Sequence, residues 1–105
     1  MRKIVIQKFG GSSVATPERR EQVIDKVLNC INQGYKPVVV VSAIGREGAP
    51  YATDTLINFA QGVCNNIDPR AKDLLMSCGE IISSVIITQA LKARGYESEP
   101  LTGAQ

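Results

Sequence analysis

The chain has 105 residues, of which 44% are hydrophobic and 5% aromatic, so it is one small domain with an aliphatic core or a piece of a larger one. Its formal net charge is +2 at pH 7, with basic and acidic residues interspersed, which excludes an electrostatic argument for binding nucleic acid or an anionic membrane. The sequence contains no histidine, which excludes Ser–His and Cys–His nucleophile pairs and most zinc sites.

The first predicted element is a short strand that leads into a glycine-rich turn. An apolar run over residues 4–6 leads to Lys8 and then to Gly-Gly-Ser-Ser at residues 10–13. Such a turn lets backbone N–H groups approach a ligand closely, and the lysine adds positive charge beside them. The pattern is neither a Walker A loop nor Gly-x-Gly-x-x-Gly. It predicts an anion site, in the first place for phosphate; the alternative is a plain tight turn.

A helix and a second strand are predicted next. Thr-Pro-Glu at residues 16–18 is a helix start signal, and Gly34 is a natural end. Residues 37–41 are Pro followed by four valines; without polar alternation, this strand is predicted to be buried on both faces of a parallel sheet. Strand, helix and strand in this order predict a right-handed βαβ unit and an α/β fold. The residues with helical period, predicted to face the core, are Val23, Ile24, Val27, Leu28 and Ile31.

Residues 46–52 carry Gly48 and Pro50 and are predicted to form a loop. Thr53 and Asp54 are then predicted to cap a short helix that runs through Val63. The predicted buried stripe of this helix is Leu56, Ile57, Ala60 and Val63.

A long helix is predicted after Asp-Pro at residues 68–69, with Gly79 kinking or splitting it. The β-branched residues within 81–88 favour a strand as the alternative, but the helical period continues to Leu91, and Gly95 ends the element. A last short strand is predicted near residues 98–101. The apolar residues that give this helical period are Leu74, Leu75, Cys78, Ile81, Ile82, Val85 and Ile86.

The three cysteines are Cys30, Cys64 and Cys78, an odd number without the spacing of metal ligands. They predict buried thiols in a reducing cytoplasm. The start of the sequence has no apolar stretch long enough for a signal peptide or a transmembrane helix.

Three polar clusters fall at the ends of predicted elements, where open α/β sheets bind their ligands. They are residues 8–13, residues 42–45 followed by Thr53-Asp54, and Gly79-Glu80 with Ser83 one helical turn later. Each has a structural alternative: a solvated strand-end lysine, a helix N-cap and an exposed helical carboxylate. Glu80 is the hardest to explain in this way, because its neighbours are small or apolar, and a carboxylate there needs a partner or a cleft.

These segments resemble one known family. Lys-Phe-Gly-Gly-Ser-Ser-Val at residues 8–14 is similar to the N-terminal signature of aspartokinases, in the amino-acid kinase superfamily, with Ser12 in place of a commoner threonine. Residues 39–45, followed by 53–56, resemble their second-strand motif, and residues 74–84 resemble their Gly-Glu helix. Residues 101–105 resemble the opening of a further motif. The 46–54 insertion is most similar to the lysine- or diaminopimelate-sensitive bacterial enzymes.

The resemblance implies a fold and a reaction. The fold is a three-layer α/β/α amino-acid-kinase fold with a mainly parallel sheet, of which residues 1–105 are the N-terminal portion, without regulatory ACT domains. The reaction is ATP- and Mg-dependent phosphorylation of the β-carboxylate of L-aspartate, in the biosynthesis of lysine and diaminopimelate, threonine and methionine. The implied setting is a cytoplasmic homo-oligomer that binds neither nucleic acid nor membrane.

The resemblance also implies the site residues. Lys8 stabilises the transferring phosphoryl group and is the catalytic residue. Thr53 and Glu80 bind aspartate, with Glu80 receiving its ammonium group, and Ser83 supports the same substrate-binding pocket. The residues implied to contact ATP are Lys8, Gly10, Gly11, Ser12, Ser13 and Ser42.

In the family, the adenine pocket and the residues that hold the magnesium–nucleotide complex come later in the chain than the motifs present here. We therefore expect this polypeptide to be an incomplete, inactive fragment that self-associates through exposed apolar surface. One alternative is a non-catalytic module that binds aspartate or assembles with a partner. Another is a different amino-acid kinase, such as acetylglutamate kinase, although the Gly-Glu motif and residues 53–54 fit that group poorly.

Overall fold

The computed structural model describes residues 2–46 and 48–103. Glu47, in the predicted loop, and residues 104–105, at the end of the last predicted motif, lie outside the described residues. A 3-10 helix over Gly11–Val14 follows the first strand. The strands are β1 (Ile4–Phe9) and β2 (Lys36–Val41), and the helices are α1 (Pro17–Asn32), α2 (Thr53–Val63) and α3 (Pro69–Ala93).

The two strands pair in parallel, with Ile4 opposite Lys36 and Phe9 opposite Val41, and α1 connects them. This arrangement confirms the predicted strand–helix–strand unit. Parallel pairing brings the carboxyl ends of both strands to one edge, so residues 10–13 and residues 42–45 emerge side by side.

Helix α1 begins and ends as its sequence predicts. The Thr16 side chain accepts a hydrogen bond from the Arg19 N–H at 3.2 Å, and Pro17 takes the first helical position. Beyond the last turn, Gly34 has φ +91°, a conformation that glycine adopts without strain. The predicted stripe is confirmed, with Ile31 half-buried. It packs with residues of the sheet and of α3 in a core formed by Val14, Val23, Ile24, Val27, Leu28, Val41, Ile87 and Leu91.

The prediction that β2 is buried on both faces is wrong. Val38 is 47% and Val40 42% exposed, and Ile4 and Ile6 lie beside them on the same face of the sheet. Helices α1 and α3 pack on the opposite face, and no described element covers this one. We call the side chains of Ile4, Ile6, Val38 and Val40 the open sheet face.

Helix α2 ends at Val63 as predicted, but its start and the burial of its last residue differ from the prediction. Its N-cap is Ala52, which has no side-chain hydrogen bond, so Thr53 is the first helical residue and not the cap. Leu56, Ile57 and Ala60 are half-buried, but Val63 is 82% exposed. The buried stripe therefore ends at Ala60, one turn before the end of the helix.

Helix α3 is continuous over 25 residues, so the predicted split at Gly79 is wrong. The Asp68 carboxylate caps it by accepting from the Ala71 N–H at 3.3 Å, and Gly95 follows its end with φ +85°, as predicted. Residues 81–88 are helical, which confirms the helix over the strand alternative. The chain after Gly95 forms no strand within residues 97–103, so the predicted strand near 98–101 is wrong.

The buried face of α3 does not coincide with the apolar pattern that predicted the helix. Leu74 is 71% exposed, and Ile81, Val85 and Ile86 are exposed as well. The face that packs against α1 and β2 repeats every four residues and contains small side chains, which allow a close approach. Its members are Gly79, Ser83, Ile87 and Leu91.

By length and composition alone, α3 is apolar enough to cross a membrane, with a mean hydropathy of 1.6 in its most apolar window. A core helix of a soluble protein meets the same criterion. Only 22% of that window is buried, and Ile87 and Leu91 are the members of α3 in the core shared with α1.

Arg94 joins the end of α3 to α1. Its Nη1 donates to Glu21 Oε2 at 2.7 Å and its Nη2 to Asp25 Oδ1 at 3.2 Å. The hydrogen bond to Asp25 raises the pKa of the Arg94 guanidinium above its usual value. All three side chains are exposed, so water screens the pairs and they contribute little to the free energy of unfolding.

The cysteine prediction holds in part. All three thiols are free, and Cys30, on the buried face of α1, is buried, but Cys64 and Cys78 are exposed. Burial was therefore predicted correctly for one cysteine of the three.

Candidate functional site

The first predicted cluster forms a turn with free backbone donors. We call residues 10–13 the glycine turn. Gly10 is extended (φ −76°, ψ 171°), and the Ser13 N–H donates to its carbonyl at 3.1 Å as the 3-10 helix begins. In the described part of the chain, the N–H groups of Gly11 and Ser12 have no intramolecular acceptor. These groups are free to donate to an anion.

Lys8 precedes the glycine turn on the exposed side of β1. It lies opposite Val40 in the register, at the carboxyl end of the open sheet face. Within residues 2–46 and 48–103 the Lys8 ammonium group forms no ion pair. The unpaired ammonium group of Lys8 therefore belongs to a residue two positions before the glycine turn.

The second cluster packs directly against the glycine turn. We call residues 42–45 the β2 loop. The Gly45 N–H donates to the Gly11 carbonyl at 3.0 Å, and the Ser42 N–H donates to the Phe9 carbonyl at 3.1 Å. A Cβ atom added at Gly11 would lie closer than 3.0 Å to the carbonyl oxygens of both Ala43 and Gly45. The two clusters thus form one backbone assembly.

Helix α3 brings the third cluster to the same place. A Cβ atom at Gly79 would lie 2.8 Å from the Ala43 Cβ and 3.1 Å from the Tyr51 carbonyl oxygen. One turn later, the Ser83 hydroxyl donates to the Ser42 carbonyl at 2.5 Å. The side chain of Ser83 is fully buried, so its hydroxyl faces the β2 loop and not solvent.

Thr53 and Glu80 border this junction. Thr53 opens α2 directly after the buried Ala52, and Leu56 of the same helix reaches within 3.6 Å of the Cβ position at Gly79. Glu80 follows Gly79 and is exposed, and no hydrogen bond or ion pair joins it to Lys8 among the described residues. The structure therefore brings the backbones of the three clusters together and leaves the two charged side chains open to solvent.

Sequence reasoning missed the residues that hold the clusters together. Ala43 and the Tyr51 carbonyl receive α3, and Gly11 contacts the β2 loop through its backbone. One sequence signal for the first contact was available. Gly79 and Ser83 are small residues four positions apart in an apolar helix, a spacing that marks a closely packed face.

This close approach predicts opposite effects for two glycines in helices. Gly79→Ala is expected to lower the free energy of unfolding by up to ~2 kcal/mol, because overpacking costs ~1–3 kcal/mol against a gain in helix propensity of ~1 kcal/mol. Gly62→Ala in α2 meets nothing within 4 Å and is expected to stabilise by ~0.5–1 kcal/mol. Urea unfolding midpoints at constant slope measure both changes, and equal shifts would contradict the packing seen at Gly79.

Comparison with known proteins agrees with this arrangement. The model of the Amino acid kinase family matches residues 3–105. Aspartokinase 1 of Bacillus subtilis (strain 168) is 50% identical over 103 residues, which are 98% of this chain and 26% of that protein. The aspartokinase of Geobacillus stearothermophilus is 39% identical over 102 residues, covering 97% of this chain and 24% of its own. The chain thus spans about a quarter of the length of these curated relatives.

A solved structure gives the same result. The aspartate kinase from Synechocystis superposes with a TM-score of 0.86 at 38% identity, over 97% of this chain and 17% of that one. The resemblance inferred from the motifs is therefore confirmed, as is the fold class, with the described residues forming a portion of that α/β fold. Because the family match runs across nearly the whole sequence, the chain belongs to the amino acid kinase family.

Proposed function

We propose that residues 1–105 are the N-terminal portion of the catalytic domain of an aspartate kinase. The reaction transfers the γ-phosphoryl group of ATP to the β-carboxylate of L-aspartate, giving 4-phospho-L-aspartate and ADP, and serves the biosynthesis of lysine, diaminopimelate, threonine and methionine. The observation that carries the proposal is the junction of the glycine turn, the β2 loop and α3, where a turn with free N–H donors meets the helix of Glu80. The names of the relatives support the same substrate.

The chemistry suits a chain without histidine. A side-chain carboxylate has a pKa near ~3.9 and is already ionised at neutral pH, so its oxygen attacks the γ-phosphorus without a general base. The bond to the leaving phosphate oxygen breaks as the new bond forms, and ADP takes the electron pair. What the protein supplies is positioning and positive charge around the transferring group.

The phosphate side of the site belongs to the glycine turn. Lys8 is the catalytic residue in this proposal, because its unpaired ammonium group compensates charge on the transferring phosphoryl. The N–H groups of the turn donate to phosphate oxygens, as expected where a strand ends beside a parallel neighbour. The residues that we assign to ATP are Lys8, Gly10, Gly11, Ser12, Ser13 and Ser42.

The aspartate side belongs to the start of α2 and the middle of α3, which approach each other at Gly79. Thr53 is the first residue of α2, and its side chain is half-buried. Glu80 has an exposed carboxylate without an ion-pair partner in the described segments, so it is free to receive the ammonium group of the amino acid. We assign aspartate binding to these two side chains. The resemblance implies Ser83 for the same pocket, but its fully buried hydroxyl donates to the Ser42 carbonyl, so we assign it no contact with aspartate.

The residues present fit ATP phosphates better than they fit a metal ion alone. Within residues 2–46 and 48–103, no group of three or more His, Cys, Asp or Glu side chains is placed to hold a metal. Mg²⁺ commonly binds through few carboxylates together with the phosphates of its nucleotide, so it would enter the site with ATP. When bound, the ion neutralises phosphate charge; the glycine turn and Lys8 orient the same phosphates from the protein side.

We further propose that this chain alone is inactive and forms a homo-oligomer in the cytoplasm. The open sheet face and the exposed apolar residues of α3 support self-association, since contiguous uncovered aliphatic surface is a common interaction site. Three free thiols fit a reducing compartment.

The test is formation of aspartyl phosphate, trapped as its hydroxamate, with ATP, Mg²⁺ and L-aspartate. Two proteins are compared: the chain itself, and a chimaera in which this chain replaces the matching quarter of B. subtilis aspartokinase 1. We expect no product from the chain and product from the chimaera. A folded, inactive chimaera contradicts the proposed function, whereas an active chain contradicts only its incompleteness.

A non-catalytic module is separated by binding to the chain alone. Calorimetric titration of the chain with L-aspartate and with ATP distinguishes a non-catalytic module from a portion of a kinase. Binding of aspartate without binding of ATP, together with an inactive chimaera, would match the non-catalytic module. Replacement of aspartate by N-acetylglutamate in the same hydroxamate assay tests the other amino-acid kinase assignment.

A further inference from the structure

Ser83 is bonded differently from the other hydroxyl residues of its helix. Ser77, Ser84 and Thr88 donate to backbone carbonyls three or four residues earlier in α3, the usual arrangement for a helical hydroxyl. Ser83 instead donates at 2.5 Å to the carbonyl of Ser42, 41 residues away along the chain. It is also the one fully buried polar side chain among the described residues. Its hydroxyl is thus committed to a tertiary contact.

The acceptor of that bond is the first residue of the β2 loop. At the other end of the loop, the Gly45 N–H donates to the Gly11 carbonyl. The loop packs so closely on Gly11 that a Cβ atom there would clash with the carbonyl oxygens of Ala43 and Gly45. Gly79, one turn before Ser83 on the same helix face, contacts Ala43 in the middle of the loop. Helix α3 therefore holds the β2 loop at two points, and the loop in turn holds the glycine turn.

We propose that Ser83 is a positioning residue for the glycine turn, acting through the β2 loop on the phosphate side of the site and not on aspartate binding. The inference rests on the proposed function, since it assigns the glycine turn to phosphate. Its physical basis is that phosphoryl transfer depends on the placement of donors to within a fraction of an ångström. A fully buried hydroxyl that donates its hydrogen bond to a backbone carbonyl acts on a ligand through that backbone.

The first test is amide hydrogen exchange on the chain itself, which needs no activity. Ser83→Ala is expected to speed exchange of the Gly45 amide about tenfold, the effect of losing one hydrogen bond to the loop. The Val27 amide, in the core of α1, reports the stability of the whole fold, so its exchange measures how far Ser83→Ala lowers that stability. Ser84→Ala is the matched control, because its hydroxyl bonds only within α3, and it is expected to leave the Gly45 amide unchanged. No acceleration at Gly45 in Ser83→Ala, or the same acceleration there in Ser84→Ala, overturns the inference.

The second test is kinetic and uses the chimaera. Ser83→Ala is expected to raise the KM for ATP or lower kcat about tenfold, with the KM for aspartate unchanged and Ser84→Ala without effect. A rise in the KM for aspartate alone would overturn the inference, because it would place Ser83 on the substrate side. An inactive unsubstituted chimaera sinks the proposed function but leaves the exchange result standing, so the two failures are distinguishable.

Discussion

Gly11→Ala is expected to lower the free energy of unfolding of this chain by ~1–3 kcal/mol, the usual cost of overpacking. The added methyl group would lie closer than 3.0 Å to two carbonyl oxygens, those of Ala43 and Gly45. Both atoms belong to backbone, so relief requires the β2 loop and the glycine turn to separate. That movement also breaks the hydrogen bond from the Gly45 N–H to the Gly11 carbonyl. Urea unfolding followed by circular dichroism measures the change.

The neighbouring glycine provides the matched control. Gly10 has φ −76° and ψ 171°, which any residue adopts, and a Cβ atom there meets nothing within 4 Å. Gly10→Ala is therefore expected to change stability by less than ~0.5 kcal/mol, as for a surface substitution. If both alanine variants unfold at the same urea concentration, the packing of the glycine turn on the β2 loop does not contribute to stability.

Lys8→Ala is expected to lower kcat in the chimaera by about 10²–10³-fold, the range found when one donor to a developing charge is removed. The reason is that Lys8 is the one cation assigned to the transferring phosphoryl group, and the described residues offer no other ammonium group in the clusters that form the site. The KM for aspartate is expected to stay within about threefold, since Glu80 and Thr53 bind that substrate in the proposal. Steady-state hydroxamate kinetics measures both constants.

A second lysine on the same face of the sheet controls for loss of charge alone. Lys36 pairs with Ile4 at the opposite end of the strands from Lys8 and is also exposed. Lys36→Ala removes the same charge from that face and is expected to leave kcat unchanged. Normal turnover of the Lys8 variant, or equal losses in both variants, would contradict the catalytic role of Lys8.

Local signals were enough to predict several elements of this fold. The cap at Thr16, the proline after it and the glycine at 34 act on neighbouring residues, and all three take their predicted places around α1. The apolar runs at 4–6 and 38–41 predicted two strands, and the helix between them predicted their parallel pairing. These features depend on a few adjacent side chains, so the sequence is sufficient to recognise them.

Features that depend on distant partners were predicted less well. The apolar residues of α3 lie on several sides of the helix, so its buried face is chosen by what packs against it, and small residues allow the closest packing there. The burial of β2 depends likewise on which face receives helices. Residues 98–101 are Ser, Glu, Pro and Leu, of which Glu and Pro are depleted in strands, and a strand also needs a paired neighbour.

The residues of the candidate site were predicted from the sequence, but the contacts that join them were not. Each residue belongs to a motif that can be read directly in the sequence. The contacts that join the motifs run from Gly11 to the β2 loop and from Ser83 to Ser42, and they link residues more than thirty positions apart. No local pattern encodes such a contact, and only the folded chain reveals it.

The open sheet face has a thermodynamic consequence. Ile4 and Ile6 are about two-thirds exposed and Val38 and Val40 nearly half exposed in the folded chain, so unfolding hydrates less of their surface than it would in a covered sheet. Newly hydrated apolar surface is the source of the heat-capacity increase on unfolding, which is usually ~12–15 cal/mol/K per residue. This chain therefore has a smaller increment per residue than a fully covered domain of its length. Its free energy of unfolding consequently varies more gently with temperature, from cold to warm, than that of such a domain.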